Sequence, residues 1–236
     1  MSKNCLTEGL SENELNSAFG PFVSCLTTDE RIIFERNCSS VDFAAGDTII
    51  ERHNNDSSVF FISSGTVSVL NYTMSGRAIT HTTLCAGDIF GEMAAIDCGP
   101  RAAWVLAVDD CKILKIPGSI FINLAERNHK FSLELLRKLS ANLREANERV
   151  LDFFSLGAEQ RACLELVRMA KPDPLRPEFY LVNQMPTQAN FATLIGSSRE
   201  TVSRIMSRLK NDSVINISAR GLEILDKKQL EKRAFG

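Results

Sequence analysis

Short β-prone runs separated by glycine turns fill residues 41–116 and determine what this part of the chain can become. The runs are VDFAAGD, TIIER, VFFISSGTVSVLNYT, SGRAITHTTL, AGDIFGE, AWVLAV and CKILKI. Bends are expected at five glycines, which are Gly46, Gly65, Gly76, Gly87 and Gly91. Turn signals at such short intervals are typical of an antiparallel sandwich or barrel.

Helical patterns flank this β-rich region on both sides. Residues 7–37 look helical, and one long helix is expected over about 119–154. Within the long helix, apolar residues step alternately by three and four along one face, which are Leu136, Leu139, Leu143, Ala146, Val150 and Phe153. This heptad seam predicts a parallel or near-parallel homodimer. The alternative is an amphipathic helix that packs on its own domain, although such helices usually show a wider apolar stripe.

The long helix is expected to end near Ser155–Gly157, because glycine readily terminates a helix. Residues 158–170 predict a further helix, and the three prolines of KPDPLRPE predict a loop or a β-wing connection after it. We therefore expect a domain boundary close to residue 155, with a β-rich domain over 1–118, a long helix over 119–154 and a further domain over 155–236.

Residues 187–210, TQANFATLIGSSRETVSRIMSRLK, predict two short helices joined by a tight turn. Thr187 is expected to cap the first helix and Ser198 the second, with Gly196 at the break between them. The inward apolar positions are Phe191, Leu194 and Ile195 on the first helix, and Val202, Ile205, Met206 and Leu209 on the second. Residues 213–226, SVINISARGLEILD, predict a β-hairpin wing.

The start of the second helix carries side chains suited to DNA. A recognition helix directs its N-terminal end at base edges in the major groove. Arginine can bond to guanine through two donors, and glutamate can accept from cytosine. The candidate base-reading residues are Arg199, Glu200, Ser203 and Arg204. Five further residues at the starts of the two helices are candidates for contacts with DNA phosphates, and these are Thr187, Gln188, Ser197, Ser198 and Thr201.

The segment GEMAAIDCGPRAAW, residues 91–104, places one carboxylate and one guanidinium among small residues. Glu92 and Arg101 could form a buried ion pair, an enzyme's acid and anion clamp, or the ends of a pocket for a small anion. An enzyme needs a nucleophile or a second acid or base nearby, and the segment offers only Asp97 and Cys98 on an expected turn. We therefore expect no catalysis. The small residues and the permanent charge of arginine favour the anion pocket.

The charge distribution also bears on the partner. Up to residue 154 the chain has 14 Lys and Arg against 20 Asp and Glu, whereas residues 155–236 have 13 against 9. A basic segment behind an acidic body indicates a polyanion partner. No apolar run approaches the roughly 20 residues that span a bilayer, and the N-terminus does not look like a secretory signal, so we expect a cytoplasmic protein.

Neither the cysteines nor the histidines predict a metal site. The seven cysteines are scattered without a C-x-x-C pair, and the three histidines lie far apart. A closed disulfide framework and a zinc site are therefore both unexpected.

With these segments in order, nearly the whole chain resembles the cyclic-AMP receptor protein/fumarate-nitrate regulator (CRP/FNR) family of bacterial transcription factors. The resemblance is strongest at GSSRETVSRIMSRLK and FGEMAAIDCGPRAAWV. It implies an α+β fold with an N-terminal cyclic-nucleotide-binding β-roll (a jelly roll), a long dimerisation helix and a C-terminal winged helix-turn-helix.

The resemblance also implies a ligand set. Arg101 would pair with the cyclic phosphate, Glu92 would accept from the ribose 2′-OH, and Gly91 would offer its backbone amide. Met93, Ala102, Ala103 and Asn147 complete the implied set. Two positions depart from the family pattern: Ala102 stands where serine or threonine is usual, and Ala146-Asn147 stands where cyclic-AMP sensors have Thr-Ser or Thr-Asn.

The implied function is a homodimeric regulator that reads a palindromic, TGTGA-like operator, with double-stranded DNA and RNA polymerase as partners. The implied effector is a cyclic nucleotide, with cyclic AMP favoured and cyclic GMP open, and no covalent cofactor is expected. Two alternatives of the same fold remain: a regulator that needs no small effector, and a redox or gas sensor that uses cysteines or haem. The spacing of Cys5, Cys25 and Cys38 matches the iron–sulfur members poorly.

Overall fold

The computed structural model describes residues 20–73, 76, 78–173, 176, 179–182, 185–218 and 221–236. The first part of the expected helical segment 7–37, up to residue 19, and Cys5 lie outside the described residues. The chain divides into two compact units, Met1–Asn142 and Leu143–Gly236.

The first unit is built on two antiparallel sheets, as the β-rich pattern predicts. Its strands are β1 (Ser39–Phe43), β2 (Thr48–Ile50), β3 (Val59–Ser64), β4 (Thr66–Tyr72), β5 (Ala78–Cys85), β6 (Ile89–Phe90), β7 (Trp104–Ala107) and β8 (Cys111–Ile116). One sheet has the order β1-β8-β3-β6 and the other β2-β7-β4-β5. All five glycines at the expected bends, Gly46, Gly65, Gly76, Gly87 and Gly91, have positive φ.

The β-roll has an apolar core on each face of one strand pair, because side chains alternate between the two faces along a strand. Successive side chains of a strand point to opposite faces, so neighbouring residues of a buried strand serve different cores. Phe61 and Leu114 pack into a cluster shared with the helices of this unit. Ile62 and Ile113 pack into a second cluster with residues of the other sheet, such as Val67. The β3–β8 pair is therefore apolar on both faces.

The helices of the chain are α1 (Pro21–Ser24), α2 (Thr28–Asn37), α3 (Glu92–Ile96), α4 (Gly118–Arg127), α5 (His129–Ser155), α6 (Ala158–Met169), α7 (Gln188–Leu194), α8 (Arg199–Asn211) and α9 (Lys227–Phe235). The expected single helix over 119–154 is corrected to two helices, α4 and α5, because Asn128 interrupts it. Asn128 is extended, at φ −112° and ψ 101°. Its Oδ1 accepts from the backbone N–H groups of Lys130 and Phe131, and its Nδ2 donates to the Cys25 carbonyl. The amide side chain thus caps α5 and fixes the break.

The end of α5 lies where the sequence predicts it, at Ser155. Gly157 does not end it with a left-handed conformation, since its φ is −71° and it is the N-cap of α6. Gly157 therefore starts the next helix rather than closing the previous one.

The second unit combines α6 to α9 with a small antiparallel sheet. Its strands are β9 (Lys171–Pro172), β10 (Tyr180–Val182), β11 (Ile215–Ser218) and β12 (Gly221–Ile224), in the order β11-β12-β10-β9. The β11–β12 hairpin confirms the expected wing, although Ala219 and Arg220 at its tip lie outside the described residues. The unit has its own apolar core, centred on Phe191, Val202 and Leu209.

Candidate functional site

Gly91 sets the start of the segment that links β6 to α3. Its φ is 81° and its ψ is 2°, in the left-handed region that favours glycine. A Cβ at this position would lie 2.6 Å from Nη1 of Arg101 and 3.0 Å from the Ser58 carbonyl oxygen. Glycine is therefore required here both by the backbone conformation and by the close approach of the arginine.

Arg101 is a buried cation, with 3% of its surface exposed. Its Nη1 donates to the Gly91 carbonyl at 2.7 Å and its Nη2 to the Ser58 carbonyl at 2.6 Å. Its backbone is also held, because its N–H donates to the Asn54 carbonyl at 3.0 Å. The guanidinium lies over the ring of Phe60, 5.6 Å from the centroid. Packing and hydrogen bonds together fix the orientation of this side chain.

The ion-pair partner of Arg101 is Asp56. Oδ2 of Asp56 lies 3.5 Å from Nη2 of Arg101 and 3.4 Å from Nζ of Lys115. Burial lowers the pKa of the arginine, and Asp56 and then Glu92 act in the opposite direction. Asp56 itself is held by Ser58, whose N–H and Oγ both reach Oδ1. The hypothesis of a direct Glu92–Arg101 ion pair is therefore replaced by an Asp56–Arg101 pair.

Glu92 is the second buried charge of the segment, with 8% of its surface exposed. Burial raises the pKa of its carboxyl group. Its own backbone amide, then Lys138 and then Arg101 counteract this rise. Lys138, on α5, contacts the nearby Asp88, with 2.5 Å between Nζ and Oδ1. Burial therefore outweighs these opposing contributions, and the pKa of Glu92 stays above its usual value.

The other predicted members of the ligand set lie at the surface of this segment or elsewhere on the chain. Met93 and Ala102 are exposed, and Ala103 is half-buried. Asn147 is exposed on the part of α5 that belongs to the second unit. The structure thus brings Gly91, Glu92 and Arg101 together as buried or half-buried groups, with small or flexible side chains beside them.

Sequence reasoning missed Asp56, Ser58 and Lys138. The only local signal at Asp56 and Ser58 is that of an Asx turn. Their contact with Arg101 is not visible in the sequence, because Ser58 and Arg101 are 43 positions apart in the chain. Lys138 lies between the seam positions Leu136 and Leu139 of the long helix, where the sequence predicts only an ordinary surface charge. Only the packing of α5 against the first unit shows that its amine reaches Asp88.

The helix-turn-helix forms as predicted. The Asn190 N–H donates to Oγ1 of Thr187 at 3.2 Å, and the Thr201 N–H donates to Oγ of Ser198 at 3.2 Å, so both expected caps are confirmed. Gly196 lies between them at φ 59°. All predicted inward residues are buried, namely Phe191, Leu194, Ile195, Val202, Ile205, Met206 and Leu209.

The candidate base-reading side chains lie on the open face of α8. Arg199, Glu200 and Arg204 are exposed, and Ser203 is half-buried. The pKa of Glu200 lies below its usual range because of its own backbone amide at the helix start, then the Ser198 hydroxyl, and then Arg199 and Arg204. Glu200 is therefore an ionised acceptor at neutral pH.

The remaining candidates surround the starts of the two helices. Thr187, Gln188 and Ser198 are exposed, and Ser197 and Thr201 are half-buried. Backbone N–H groups and hydroxyls at helix starts suit phosphate oxygens. The arrangement can therefore present a charged reading edge with polar groups on both sides.

The heptad positions of α5 fall into two groups. Leu136, Leu143, Ala146 and Val150 are exposed, with Leu143 at 62%. Leu139 instead packs partly into the core of the first unit. Phe153 is 45% exposed, and its ring also lies beside Gly196 and Arg161 within the second unit.

Across the described residues, no group of three or more His, Cys, Asp or Glu is arranged to hold a metal ion. No helix in this described part of the chain is long and apolar enough to cross a bilayer.

Two family descriptions match this chain. "Cyclic nucleotide-binding domain" matches residues 40–128, and "Crp-like helix-turn-helix domain" matches residues 160–233. The first covers the β-roll with Gly91, Glu92 and Arg101, and the second covers the helix-turn-helix and its wing.

Curated relatives match over most of their own length. The chain is 30% identical over 179 residues to the "Cyclic AMP receptor protein" of Thermus thermophilus. The aligned region covers 75% of this chain and 80% of that protein. The chain is also 26% identical over 195 residues to the "CRP-like cAMP-activated global transcriptional regulator" of Mycobacterium tuberculosis, which spans 82% and 87%.

Solved structures share the fold. FixK2 from Bradyrhizobium japonicum matches with a TM-score of 0.73 at 18% identity, over 84% of this chain and 98% of that chain. A CRP/FNR-family transcriptional regulator from Thermus thermophilus matches with a TM-score of 0.66 at 23% identity, over 84% and 98%. At these identities the likeness concerns the architecture, which is the expected α+β fold of β-roll, long helix and winged helix-turn-helix.

Proposed function

Since this chain belongs to the CRP/FNR family of DNA-binding transcription regulators and carries a cyclic nucleotide-binding domain, we propose that a cyclic nucleotide bound at Arg101 controls its affinity for DNA. The family consists of transcription regulators rather than enzymes. The observation that carries the proposal is the buried guanidinium of Arg101, held in place at the edge of a segment of small residues.

A buried cation gains from an anionic ligand when its protein partners compensate it only in part. Arg101 has five N–H donors, and its carbonyl contacts with Gly91 and Ser58 engage two nitrogens. Its carboxylate partner Asp56 is 3.5 Å away and 40% exposed, so the attraction is weakened by solvent. A cyclic phosphate would add a charge-assisted contact to the donors that remain.

In this proposal the other ligand contacts follow the family pattern. The Glu92 carboxylate accepts from the ribose 2′-OH, and the Gly91 amide contributes a donor. Met93, Ala102 and Ala103 border the nucleotide, and Asn147 meets the base. Cyclic AMP is the favoured ligand because the two curated relatives described above are named for it. Cyclic GMP is the alternative, since an amide can face the edge of either purine.

The proposed reader is a homodimer on a palindromic operator with TGTGA-like half-sites. The exposed apolar residues Leu136, Leu143 and Val150 support it, because a row of large apolar side chains on one helix face favours a partner helix. In such a dimer the two helix-turn-helix units lie about one DNA turn apart, roughly 34 Å. Arg199, Glu200 and Arg204 then read base edges, with Ser203 beside them.

Three broader parts of the proposal follow the family. RNA polymerase is the partner through which the protein acts, as an activator in the cytoplasm. The domain division into 1–118, 119–154 and 155–236 assigns sensing, dimerisation and DNA binding in turn. The hydroxyls of Ser197, Ser198, Thr187 and Thr201 and the amide of Gln188 serve the DNA backbone.

Calorimetric titration with cyclic AMP and cyclic GMP tests the ligand directly. We expect wild type to bind at least one of them and Arg101→Ala to show no measurable binding. Arg101→Lys keeps the charge but loses the planar fork, so it should bind weakly. Arg127→Ala removes the same charge from an exposed position on α4 and serves as the control. If wild type gives no heat with either nucleotide at millimolar concentration, the regulator that needs no small effector replaces this proposal.

A further inference from the structure

The last turns of α5 are joined to α6 by four charged side chains that are largely shielded from solvent. Oδ2 of Asp152 on α5 accepts from Nη2 of Arg168 on α6 at 2.8 Å. Oε1 of Glu165 on α6 lies 3.6 Å from Nη2 of Arg149 on α5, and Oε2 of Glu165 lies 3.7 Å from Nη1 of Arg168. We call these four residues the α5–α6 ion cluster. Each of their side chains is less than a third exposed, and that of Glu165 is buried.

Ion pairs that are shielded in this way constrain two helices more than surface pairs do. An exposed pair contributes little, because solvent screens its charges. Removing one partner of a buried pair is costly, because the other charge then stays buried without compensation. A rotation of α6 away from α5 would separate Glu165 from Arg149 and Arg168 from Asp152 at the same time. The cluster therefore opposes a change in the angle between the two helices.

The ion cluster also lies against the helix-turn-helix. Leu194 and Ile195, at the end of α7, line the same small cavity as the four charged residues. Both are buried in an apolar core that includes Leu166 of α6 and Val202 of α8. The end of α5, α6 and the helix-turn-helix all belong to the same compact unit. Helix α6 thus connects the last turns of α5 with the helix that carries the base-reading residues.

The ion cluster and the proposed dimer seam occupy different sides of α5. At about 100° per residue, Leu143 and Val150 point to one side of the helix, whereas Arg149 and Asp152 point to the opposite side. Leu143 and Val150 are exposed. The last turns of α5 can therefore contact a second copy of the chain on one side and hold their own helix-turn-helix on the other.

We propose that the α5–α6 ion cluster sets the half-site spacing that the dimer reads, with Asp152 and Arg168 as positioning residues. This inference rests on the proposed function, because it needs a homodimer on a palindrome. Once one helix-turn-helix has bound its half-site, the second binds intramolecularly, at an effective concentration that depends on the stiffness of the connection. A fixed angle between α5 and α6 concentrates the second helix-turn-helix at one spacing, whereas a variable angle distributes it over several.

The distance between half-sites is a sensitive measure of this angle. Each added base pair moves one half-site by about 3.4 Å along the duplex and rotates it by about 35° around the duplex axis. A dimer with a fixed angle must then twist or bend the DNA, which costs deformation energy. A dimer with a variable angle follows the displaced half-site instead. Loosening the cluster should therefore weaken binding most at the optimal spacing, whereas a loss of stability alone would weaken binding equally at all spacings.

The experiment uses fluorescence anisotropy with labelled duplexes that carry two inverted TGTGA half-sites at a series of spacings. A duplex with one half-site is measured beside them, and each series is run with cyclic AMP and with cyclic GMP. Asp152→Asn removes the charge at nearly constant shape, Arg168→Met removes the cation, and Arg168→Lys keeps it. Arg137→Met is the matched control, because Arg137 pairs with Glu134 within α5 and this pair joins no second element.

The expected readout is the ratio of affinities between spacings. We expect wild type to prefer one spacing at least about tenfold over duplexes one base pair longer or shorter. Asp152→Asn and Arg168→Met should reduce this preference at least about threefold, with affinity for the single half-site within about twofold of wild type. Arg168→Lys should recover part of the preference that Arg168→Met loses, and Arg137→Met should retain the wild-type preference.

The outcomes that overturn the inference are distinguishable from failure of the proposed function. If Asp152→Asn keeps the wild-type preference, or loses affinity by the same factor at every spacing, the role of the cluster is wrong while the proposed function stands. The same holds if dimeric wild type binds all spacings equally. If wild type sediments as a monomer, the proposed dimer fails and the inference fails with it. Thermal unfolding identifies a variant that does not fold, and Asp152→Asn decides the outcome if Arg168→Met is such a variant.

Discussion

At the scale of single residues, Arg101 has an observed structural role and a proposed role in ligand binding. Its contacts with the Gly91 and Ser58 carbonyls hold the segment together, and its remaining donors are proposed to meet the phosphate. Ala102, the next residue, is exposed and adds no side-chain donor. In the proposed complex, the phosphate would therefore be bound by one guanidinium and by backbone amides, where the family usually adds a hydroxyl.

Restoring that hydroxyl should strengthen nucleotide binding. A hydrogen bond to a charged group contributes about 1.5–3 kcal/mol, so Ala102→Ser should tighten the dissociation constant about ten- to a hundredfold. Calorimetric titration with cyclic AMP measures this. Ala45→Ser, at another exposed alanine of the β-roll, is the control and should leave affinity unchanged. Equal affinities for wild type and Ala102→Ser would show that the phosphate does not lie beside residue 102.

At the scale of secondary-structure elements, Arg161 of α6 ties the helix-turn-helix to the end of α5. Its Nε donates to the Ile195 carbonyl at 2.8 Å, and its Nη1 donates to the Leu156 carbonyl. The Ile195 carbonyl lies at the end of α7, and the Leu156 carbonyl lies directly after α5. Carbonyl groups at the C-terminus of a helix lack an intrahelical donor, and the guanidinium supplies one. The guanidinium also lies over the ring of Phe153, 5.4 Å from its centroid. The ring in turn occupies the space beside Gly196, where a Cβ would lie 2.4 Å from Cε1.

Gly196→Ala should therefore destabilise the second unit through two effects. A left-handed conformation costs a residue with a Cβ about 1–2 kcal/mol, and the clash with Phe153 adds to that. Denaturant unfolding should show a smaller loss in a Phe153→Ala background, with a coupling energy of at least about 0.5 kcal/mol. Gly46→Ala is the control, because Gly46 has positive φ but nothing within 4 Å of the added Cβ. Additive effects of the two substitutions would contradict the clash.

Structural features that depend on neighbouring residues could be predicted from the sequence, whereas features that depend on distant residues could not. The caps at Thr187 and Ser198 and the glycine bends of the β-roll were predictable, because each depends on residues within one turn. The break at Asn128 was not, because its amide also bonds to Cys25, which is 103 positions away. The partners of Arg101 were missed for the same reason, since the folding of the β-roll alone brings the Asp56–Ser58 turn to it.

At the scale of the whole molecule, the proposed dimer depends on the exposed face of α5. Leu143→Asp would place a carboxylate in the seam, and burying an unpaired charge there is strongly unfavourable. Sedimentation at micromolar concentration should show a dimer for wild type and a monomer for Leu143→Asp. Ala141→Asp adds the same charge to an exposed position away from the seam and should remain dimeric. A monomeric wild type, or a dimeric Leu143→Asp, would contradict the seam.

The central claim is that a cyclic nucleotide in the β-roll sets the affinity of the helix-turn-helix for a palindrome. Fluorescence anisotropy with a labelled duplex, carrying inverted TGTGA half-sites about one helical turn apart, measures this affinity at fixed salt. We expect saturating cyclic AMP, or cyclic GMP, to tighten binding of wild type at least tenfold, with no such effect on a scrambled duplex. Equal affinity for the palindrome with and without either nucleotide would contradict the account.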